Sequence, residues 1–311
     1  MAAPRLVLVL SENHTLIPAD RPRALVDLAV QAERAGFDAV MVSEHVVLGR
    51  GADDAGLPDN PRAYALPGMQ HPATPWPAPL VLLAAVAAAT SRLRLLAAAV
   101  IPPLRHPALI AKELATLDLL AQGRLVVQPT VSWHRAEYEA LQIPFEERGD
   151  RLDEHLEAWR ALWSTSPASF AGRHYRFEEV WLEPKPTRPQ GPPLWFGSDR
   201  LHDRLLRRLV RFGAGFHPLG QPTDEELARV RAALRQAGRD PSELELVGGV
   251  RGSFPDPDRP APLEPALDRV PDQVARGFGT ICIKPSQFTD DPRELPDLLE
   301  RIVAGVAERC P

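Results

Sequence analysis

The chain has 311 residues, of which 44% are hydrophobic and 25% are charged. These proportions are typical of a globular protein and exclude a disordered chain and a coiled coil. The 41 acidic residues outnumber the 36 basic ones and give a net charge of −5, so nucleic acid is not an expected partner.

Cysteine content and apolar run length indicate where the protein works. The two cysteines, Cys282 and Cys310, are too few for a disulfide framework, which suggests a reducing compartment. The N-terminus lacks the pattern of a secretory signal peptide. The longest apolar run, over residues 80–89, is about half as long as a bilayer span. We therefore expect a cytoplasmic protein with no membrane partner.

Short apolar runs typical of strands alternate with longer helical stretches along the whole chain. The first predicted strand, residues 5–10, is followed by a helix over 21–36. The second strand, 38–43, leads into a loop over 44–77. This loop is too long for an ordinary connection and is expected to cover part of the protein surface. A helix is predicted for 78–91.

The same alternation continues to the C-terminus. A third strand over 94–101, a helix over 107–122 and a fourth strand over 124–128 come first. Two helical stretches and a proline-rich insertion over 164–193 follow. The helical stretches cover 135–141 and 148–163, and the remaining strands cover 194–197, 213–216, 244–249 and 280–284.

Eight strand-helix units without a compositional break predict an α/β fold, a single (β/α)8 TIM barrel, in preference to a doubly wound sheet. The barrel would span residues 1–311 as one domain, with a long loop after strand 2 and an insertion before strand 5. The loop over 44–77 and the insertion over 164–193 are expected to cover the C-terminal face. The active site is expected on this face, at the carboxyl ends of the strands.

Two titratable residues, Glu44 and His45, end the second strand and are the candidate catalytic pair. Histidine titrates near neutrality, and an adjacent carboxylate can hold its charge or orient it, as proton transfer requires. The structural alternative is that His45 only hydrogen-bonds a loop carbonyl. No metal-binding motif accompanies the pair, so no metal is expected.

Other strand ends supply candidate binding residues. A glycine and a serine between a strand and a helix can bind an anion, although they also suit an ordinary turn. An aromatic residue after strand four could cover a flat ligand or simply pack in the core. The apolar long loop points to a hydrophobic organic substrate. The anion candidates are Gly197 and Ser198, the ring cover is Trp133, and the substrate candidates are His14, Tyr64, Met69, Trp76, Phe216 and His217.

Several stretches of the chain carry a family resemblance. They include Val42-Ser-Glu-His-Val46, Pro103-Leu-Arg-His-Pro107, Arg135-Ala-Glu-Tyr-Glu-Ala-Leu141 and Pro192-Pro-Leu-Trp-Phe-Gly197. Over nearly its whole length the chain resembles the bacterial luciferase-like superfamily of flavin and deazaflavin oxidoreductases, most closely the F420-dependent branch.

The resemblance implies a cofactor, coenzyme F420 or alternatively FMN, whose ring lies over the strand ends. It implies that His45 with Glu44 faces the reactive edge of the ring, and that the cofactor phosphate lies at Gly197 and Ser198. It also implies a non-proline cis peptide in strand three and a homodimer through the helices after strands two and three. The expected cis peptide maps near Ala98 and Ala99.

Three positions after strand four, where relatives usually carry glycine, are Gln128, Thr130 and Ser132 in this chain. Their side chains would enter the space of the ring, and with Ala98, Ala99 and Trp133 they form the predicted ring site.

Three functions are compatible with these patterns. The first is an oxidoreductase that transfers a hydride between F420 and a small apolar organic substrate. The second is an FMN-dependent luciferase-like monooxygenase. The third is a barrel with an altered cofactor site that acts as a non-redox enzyme or binding protein.

Overall fold

A computed structural model describes residues 3–311 of the chain. Eight parallel strands close into a barrel, in the spatial order β1, β10, β9, β8, β7, β4, β3, β2. These strands are β1 (Arg5–Val9), β2 (Ala39–Val42), β3 (Arg94–Val100), β4 (Leu125–Pro129), β7 (Leu194–Phe196), β8 (Gly213–Phe216), β9 (Glu245–Gly249) and β10 (Thr280–Ile283).

Helices follow the barrel strands and form the outer layer. They are α1 (Pro22–Ala35), α2 (Pro79–Ala89), α3 (Pro107–Leu120), α4 (Arg135–Ala140), α5 (Arg148–Ser164), α6 (Asp203–Phe212), α7 (Asp224–Gln236), α8 (Glu264–Leu267), α9 (Val270–Ala275) and α10 (Leu295–Arg309). The predicted (β/α)8 TIM barrel is confirmed, and each of the eight predicted strands overlaps a barrel strand.

The strands alternate between two cores because successive side chains of a strand point to opposite faces. In β1, Val7 and Val9 pack inside the barrel with Met41 and Trp195. Leu6 and Leu8 pack outward against the helical layer. This alternation explains why the strands read as nearly continuous apolar runs in the sequence.

The insertion before the fifth barrel strand forms a hairpin of β5 (Ala168–Ala171) and β6 (Arg176–Val180). These strands were not predicted. The turn of the hairpin contacts the helical layer, where the Arg173 N–H donates to Glu154 Oε1 of α5 at 2.8 Å. The segment after the hairpin does so as well. Lys185 Nζ donates to the Leu162 carbonyl at 2.7 Å, and the Thr187 N–H donates to the Asp118 carboxylate at 2.8 Å.

Between β2 and α2 the chain forms no strand or helix, as predicted for the long loop. The predicted non-proline cis peptide is confirmed at Ala98-Ala99. Within residues 3–311, no helix is long and apolar enough to cross a membrane.

Candidate active site

His45 lies just beyond the end of β2, and the carboxylate that contacts it comes from α4. His45 Nδ1 is 3.4 Å from Glu137 Oε2, and the Val46 N–H donates to Glu137 Oε1 at 2.6 Å. The Glu137 side chain is fully buried. Burial raises the pKa of this carboxyl, but hydrogen bonds from His45, Val46 and Ser132 outweigh burial, so the net pKa lies below its usual range. A negative charge is therefore held against Nδ1, and Nε2 makes no hydrogen bond within residues 3–311.

Glu44 does not contact His45, which corrects the expectation that its carboxylate orients the histidine. It accepts the Ile101 N–H at 2.7 Å and pairs with Arg105, whose Nη2 lies 2.5 Å from Oε1. The physical reason is that neighbouring residues at a strand end point to opposite sides. Glu44 thus ties β2 to the segment after β3, and sequence reasoning missed Glu137.

The segment after β4 explains why Ser132 occupies a position where glycine was expected. Its φ of 59° lies in the left-handed region that favours glycine. The Ser132 hydroxyl donates to Glu137 Oε2 at 2.9 Å, so it points to the carboxylate that holds His45. The Thr130 N–H donates to the Val100 carbonyl at 2.8 Å, which continues the sheet.

Two tryptophans enclose the His45 ring. The Trp76 ring meets it edge to face at 5.1 Å, and the Trp133 ring does so at 5.7 Å. Trp76 also lies 6.4 Å from His14. Trp76 Nε1 is buried without a hydrogen-bond partner in the described chain. The structure therefore brings the predicted residues His14, Trp76 and Trp133 together around His45.

The long loop is held at several places, including Asn60, whose Nδ2 donates to the Arg259 carbonyl at 3.0 Å. The Gly49 N–H donates to His134 Nε2 at 2.8 Å, and burial lowers the pKa of His134, which favours the neutral ring that can accept this bond. Further along, Arg62 pairs with Asp290 in the loop after β10. Met69, a predicted substrate residue, is half-buried in a turn closed by its N–H and the Leu66 carbonyl at 2.9 Å.

Residues at the ends of β4, β7 and β8 form a second group. His217 Nδ1 lies 2.8 Å from Gln128 Oε1. A Cβ at Gly197 would lie 1.7 Å from the His217 carbonyl oxygen, so only glycine allows this approach. Burial lowers the pKa of His217 to about 4. Phe216 instead packs into the core beneath the helices, so the structure does not bring it to His45.

Ser198 was a predicted phosphate ligand beside Gly197. Its hydroxyl donates to Asp199 at 2.9 Å, and its carbonyl accepts the Leu219 N–H at 3.0 Å. The following helix, α6, begins only at Asp203 and is capped by the His202 side chain. Ser198 therefore lies in the turn before α6 and not in its first helical turn.

Sequence reasoning also missed Glu12 and Lys284, which follow β1 and β10. Burial raises the pKa of Glu12, and nearby Lys284 and His45 partly offset that effect. Burial lowers the pKa of Lys284. The available signal was their position, because Lys284 directly follows β10 and Glu12 lies three residues after the end of β1, where this fold places functional groups.

Two observations test whether the predicted ring residues fit a planar cofactor. In β3, Ala98 is buried inside the barrel whereas Ala99 is partly exposed, and a register shift against β4 follows Ala98. This leaves a small side chain at the edge of the site. The unpartnered Trp76 N–H lies buried on the loop that faces His45. Small residues at the end of β3, and a buried donor without a partner on the Trp76 ring that contacts His45, fit a ligand with polar edges.

Metal chemistry has a separate test. Among residues 3–311, no group of three or more histidine, cysteine, aspartate or glutamate side chains is arranged to hold a metal ion.

Known proteins resemble this chain over most of its length. A model of the luciferase-like monooxygenase family matches residues 4–259. An uncharacterised Mycobacterium bovis protein is 36% identical over 234 residues, 72% of this chain and 78% of that protein. An F420-dependent glucose-6-phosphate dehydrogenase of Nakamurella multipartita is 29% identical over 291 residues, 90% of this chain and 76% of that enzyme.

A third relative uses a flavin. An FMNH2-dependent dimethylsulfone monooxygenase of Pseudomonas putida is 31% identical over 196 residues, 62% of this chain and 47% of that enzyme. Together with the barrel and the family match, these relatives show that the chain belongs to the luciferase-like monooxygenase family and is an F420- or flavin-dependent oxidoreductase or monooxygenase.

Proposed function

We propose that this enzyme transfers a hydride between coenzyme F420 and a small, mainly apolar organic substrate. The observation that carries the proposal is the histidine at the end of β2. His45 is held at Nδ1 by a buried carboxylate and is walled by Trp76 and Trp133. A histidine fixed on one nitrogen and free on the other suits proton transfer beside a redox cofactor.

The protein would position the substrate and the cofactor and would transfer a proton. His45 Nε2 takes or returns the proton at the reacting oxygen of the substrate, while Glu137 keeps the ring oriented and stabilises its charge. Trp76 and Trp133 exclude water from the place where this proton is transferred. Glu44 acts through Arg105 and Ile101 as a positioning residue. When bound, the deazaflavin supplies or accepts the hydride.

The cofactor would be held by residues at the ends of three barrel strands. We assign the ring to the ends of β3 and β4 and the phosphate to the turn after β7. The substrate would be contacted from the surrounding loops by His14, Tyr64, Met69 and Trp76. His217, held by its hydrogen bond to Gln128, would form a further wall of the substrate site. The ring residues are Ala98, Ala99, Gln128, Thr130, Ser132 and Trp133, and the phosphate residues are Gly197 and Ser198.

An FMN-dependent monooxygenase is the second candidate. It is favoured by the aromatic enclosure of His45, since a reduced flavin that reacts with oxygen needs a site protected from water. The flavin-dependent relative supports the same alternative.

A titration of the purified protein with F420 and with FMN tests the proposal. We expect the deazaflavin absorbance and fluorescence to shift on F420 addition at micromolar concentration, and FMN to bind more weakly. Tighter binding of FMN would favour the monooxygenase. Failure of both cofactors to bind at tens of micromolar would exclude the redox functions and favour the non-redox barrel.

We also propose that two copies associate through α2 and α3, and that the protein works in the cytoplasm. Four large apolar side chains on these helices are exposed, Val81 at 73%, Leu109 at 63%, Leu120 at 58% and Leu119 at 39%. Burial of such residues is the main driving force of association. Light scattering should give the mass of a dimer for the natural protein and of a monomer for the double variant Val81→Glu, Leu109→Glu. A monomeric natural protein would contradict the proposal.

A further inference from the structure

Lys284 is a buried cation that the proposed hydride transfer does not use. It follows β10 directly and is 1% exposed. Its ammonium makes one hydrogen bond within residues 3–311, to the Ala63 carbonyl at 2.9 Å. No carboxylate in that part of the chain forms an ion pair with it. An ammonium has three donors, so two remain without a protein acceptor.

Two groups of the long loop contact the Lys284 ammonium. Besides the Ala63 carbonyl, the Tyr64 ring lies 4.7 Å from Nζ. Arg251 lies on the same ring at 5.9 Å, so two cations flank one phenol. The long loop therefore supplies both the hydrogen-bond acceptor and the aromatic ring next to the Lys284 ammonium.

Lys284 is part of the same site as His45. The Ser286 N–H, two residues after Lys284, donates to Asn13 Oδ1 at 3.1 Å and so holds the end of β10 next to His14. The His14 ring lies 6.4 Å from Trp76, which contacts His45. The Glu12 carboxylate makes no hydrogen bond to the described protein. Burial raises the pKa of this carboxyl, and no ion pair joins it to Lys284 within residues 3–311.

Burying a cation without a counter-charge costs free energy, and a buried group of this kind in a site is a candidate for binding a ligand of opposite charge. We propose that Lys284 binds a carboxylate group at one end of the substrate, whose apolar body lies against Tyr64 and Trp76. This inference rests on the proposed function because it places the substrate beside His45. Two free N–H donors match the two oxygens of a carboxylate.

The same surroundings disfavour a phosphate. A dianion would need more positive charge than one ammonium supplies. The aromatic walls also suit an apolar body better than a heavily hydrated group.

The test measures ligand binding to the cofactor-free protein by calorimetry, so it is independent of F420 binding. The probes are benzoate, phenylacetate and phenylpropionate, each paired with its amide. We expect at least one acid to bind about tenfold more tightly than its amide, the scale of a charged hydrogen bond. Lys284→Met should remove this preference. Lys112→Met, at one of the two other lysines, should keep it.

Two results would overturn the inference. One is equal affinity of the natural protein for acid and amide in all three pairs. The other is a preference that survives in Lys284→Met. Should that variant not fold, a crystal of the natural protein with para-bromobenzoate gives the answer. The bromine locates the probe, and a carboxylate away from Lys284 Nζ would contradict the proposal.

Discussion

The candidate site depends on a contact between two residues that lie far apart in the sequence. His45 and Glu137 are separated by 92 positions, and their contact exists only because β2 and the segment after β4 meet at one end of the barrel. The adjacent Glu44 faces Arg105 and does not orient the histidine. The type and place of the histidine could be predicted from its strand end, whereas its partner required the fold.

A double-mutant cycle on His45 and Glu137 tests this pair. We expect His45→Ala to lower turnover by about two to four decades, because a general acid-base group is lost. Glu137→Gln should lower it by about one to two decades, because the ring loses its charged partner. The double variant should be no slower than His45→Ala, since Glu137 acts only through His45.

Controls separate catalysis from folding in this cycle. His71→Ala, at an exposed histidine of the long loop, should leave turnover unchanged. Circular dichroism should show intact folds. Additive losses in the double variant would mean that Glu137 acts independently of His45, and unchanged turnover in His45→Ala would remove that residue from the mechanism.

Among the structural elements, the loop between β2 and α2 could be predicted from its length and composition. The contacts that fix it to the rest of the barrel could not be predicted. The loop is fixed to residues far along the chain, through Gly49 to His134 and through Arg62 to Asp290. The β5–β6 hairpin was missed for a related reason. Its strands alternate little and are half-exposed, so no apolar period marks them.

The ion pair between Arg62 and Asp290 should keep the loop closed. Arg62→Met should lower the free energy of local loop opening by up to about 1 kcal/mol, the scale of a partly exposed pair. Hydrogen exchange measured by mass spectrometry should then be several-fold faster in residues 55–70. Arg50→Met, at an exposed arginine of the same loop, is the matched control. Equal exchange in both variants would show that the pair does not hold the loop.

At the scale of the whole molecule, the barrel was the most predictable feature, because eight apolar strands each packed on two sides leave a strong repeating pattern. The buried polar groups at its mouth were less predictable. Gln128 lies near the end of β4, His217 and Lys284 directly follow β8 and β10, and only the closed barrel shows that they are enclosed. Burial of the two titratable groups, His217 and Lys284, makes the stability of the molecule depend on pH.

His217 provides the test of that dependence. Burial lowers its pKa from the ordinary value of 6.5 to about 4, so as the pH falls below 6.5 the unfolded chain binds a proton that the native ring does not. Its contribution to stability is complete above that pH and is lost on the way down to about 4. From about pH 7 to about pH 5 the expected loss is about 2 kcal/mol.

Urea unfolding of the natural protein and of His217→Gln at these two pH values measures the effect. Other groups also titrate, and Glu12 acts in the opposite sense because burial raises its pKa. The difference between the two proteins therefore isolates His217. We expect the natural protein to lose about 2 kcal/mol more than His217→Gln on acidification, and His71→Gln to behave like the natural protein. Equal losses in all three proteins would mean that His217 is protonated in the native barrel, which would place a positive charge beside Gln128 and Gly197.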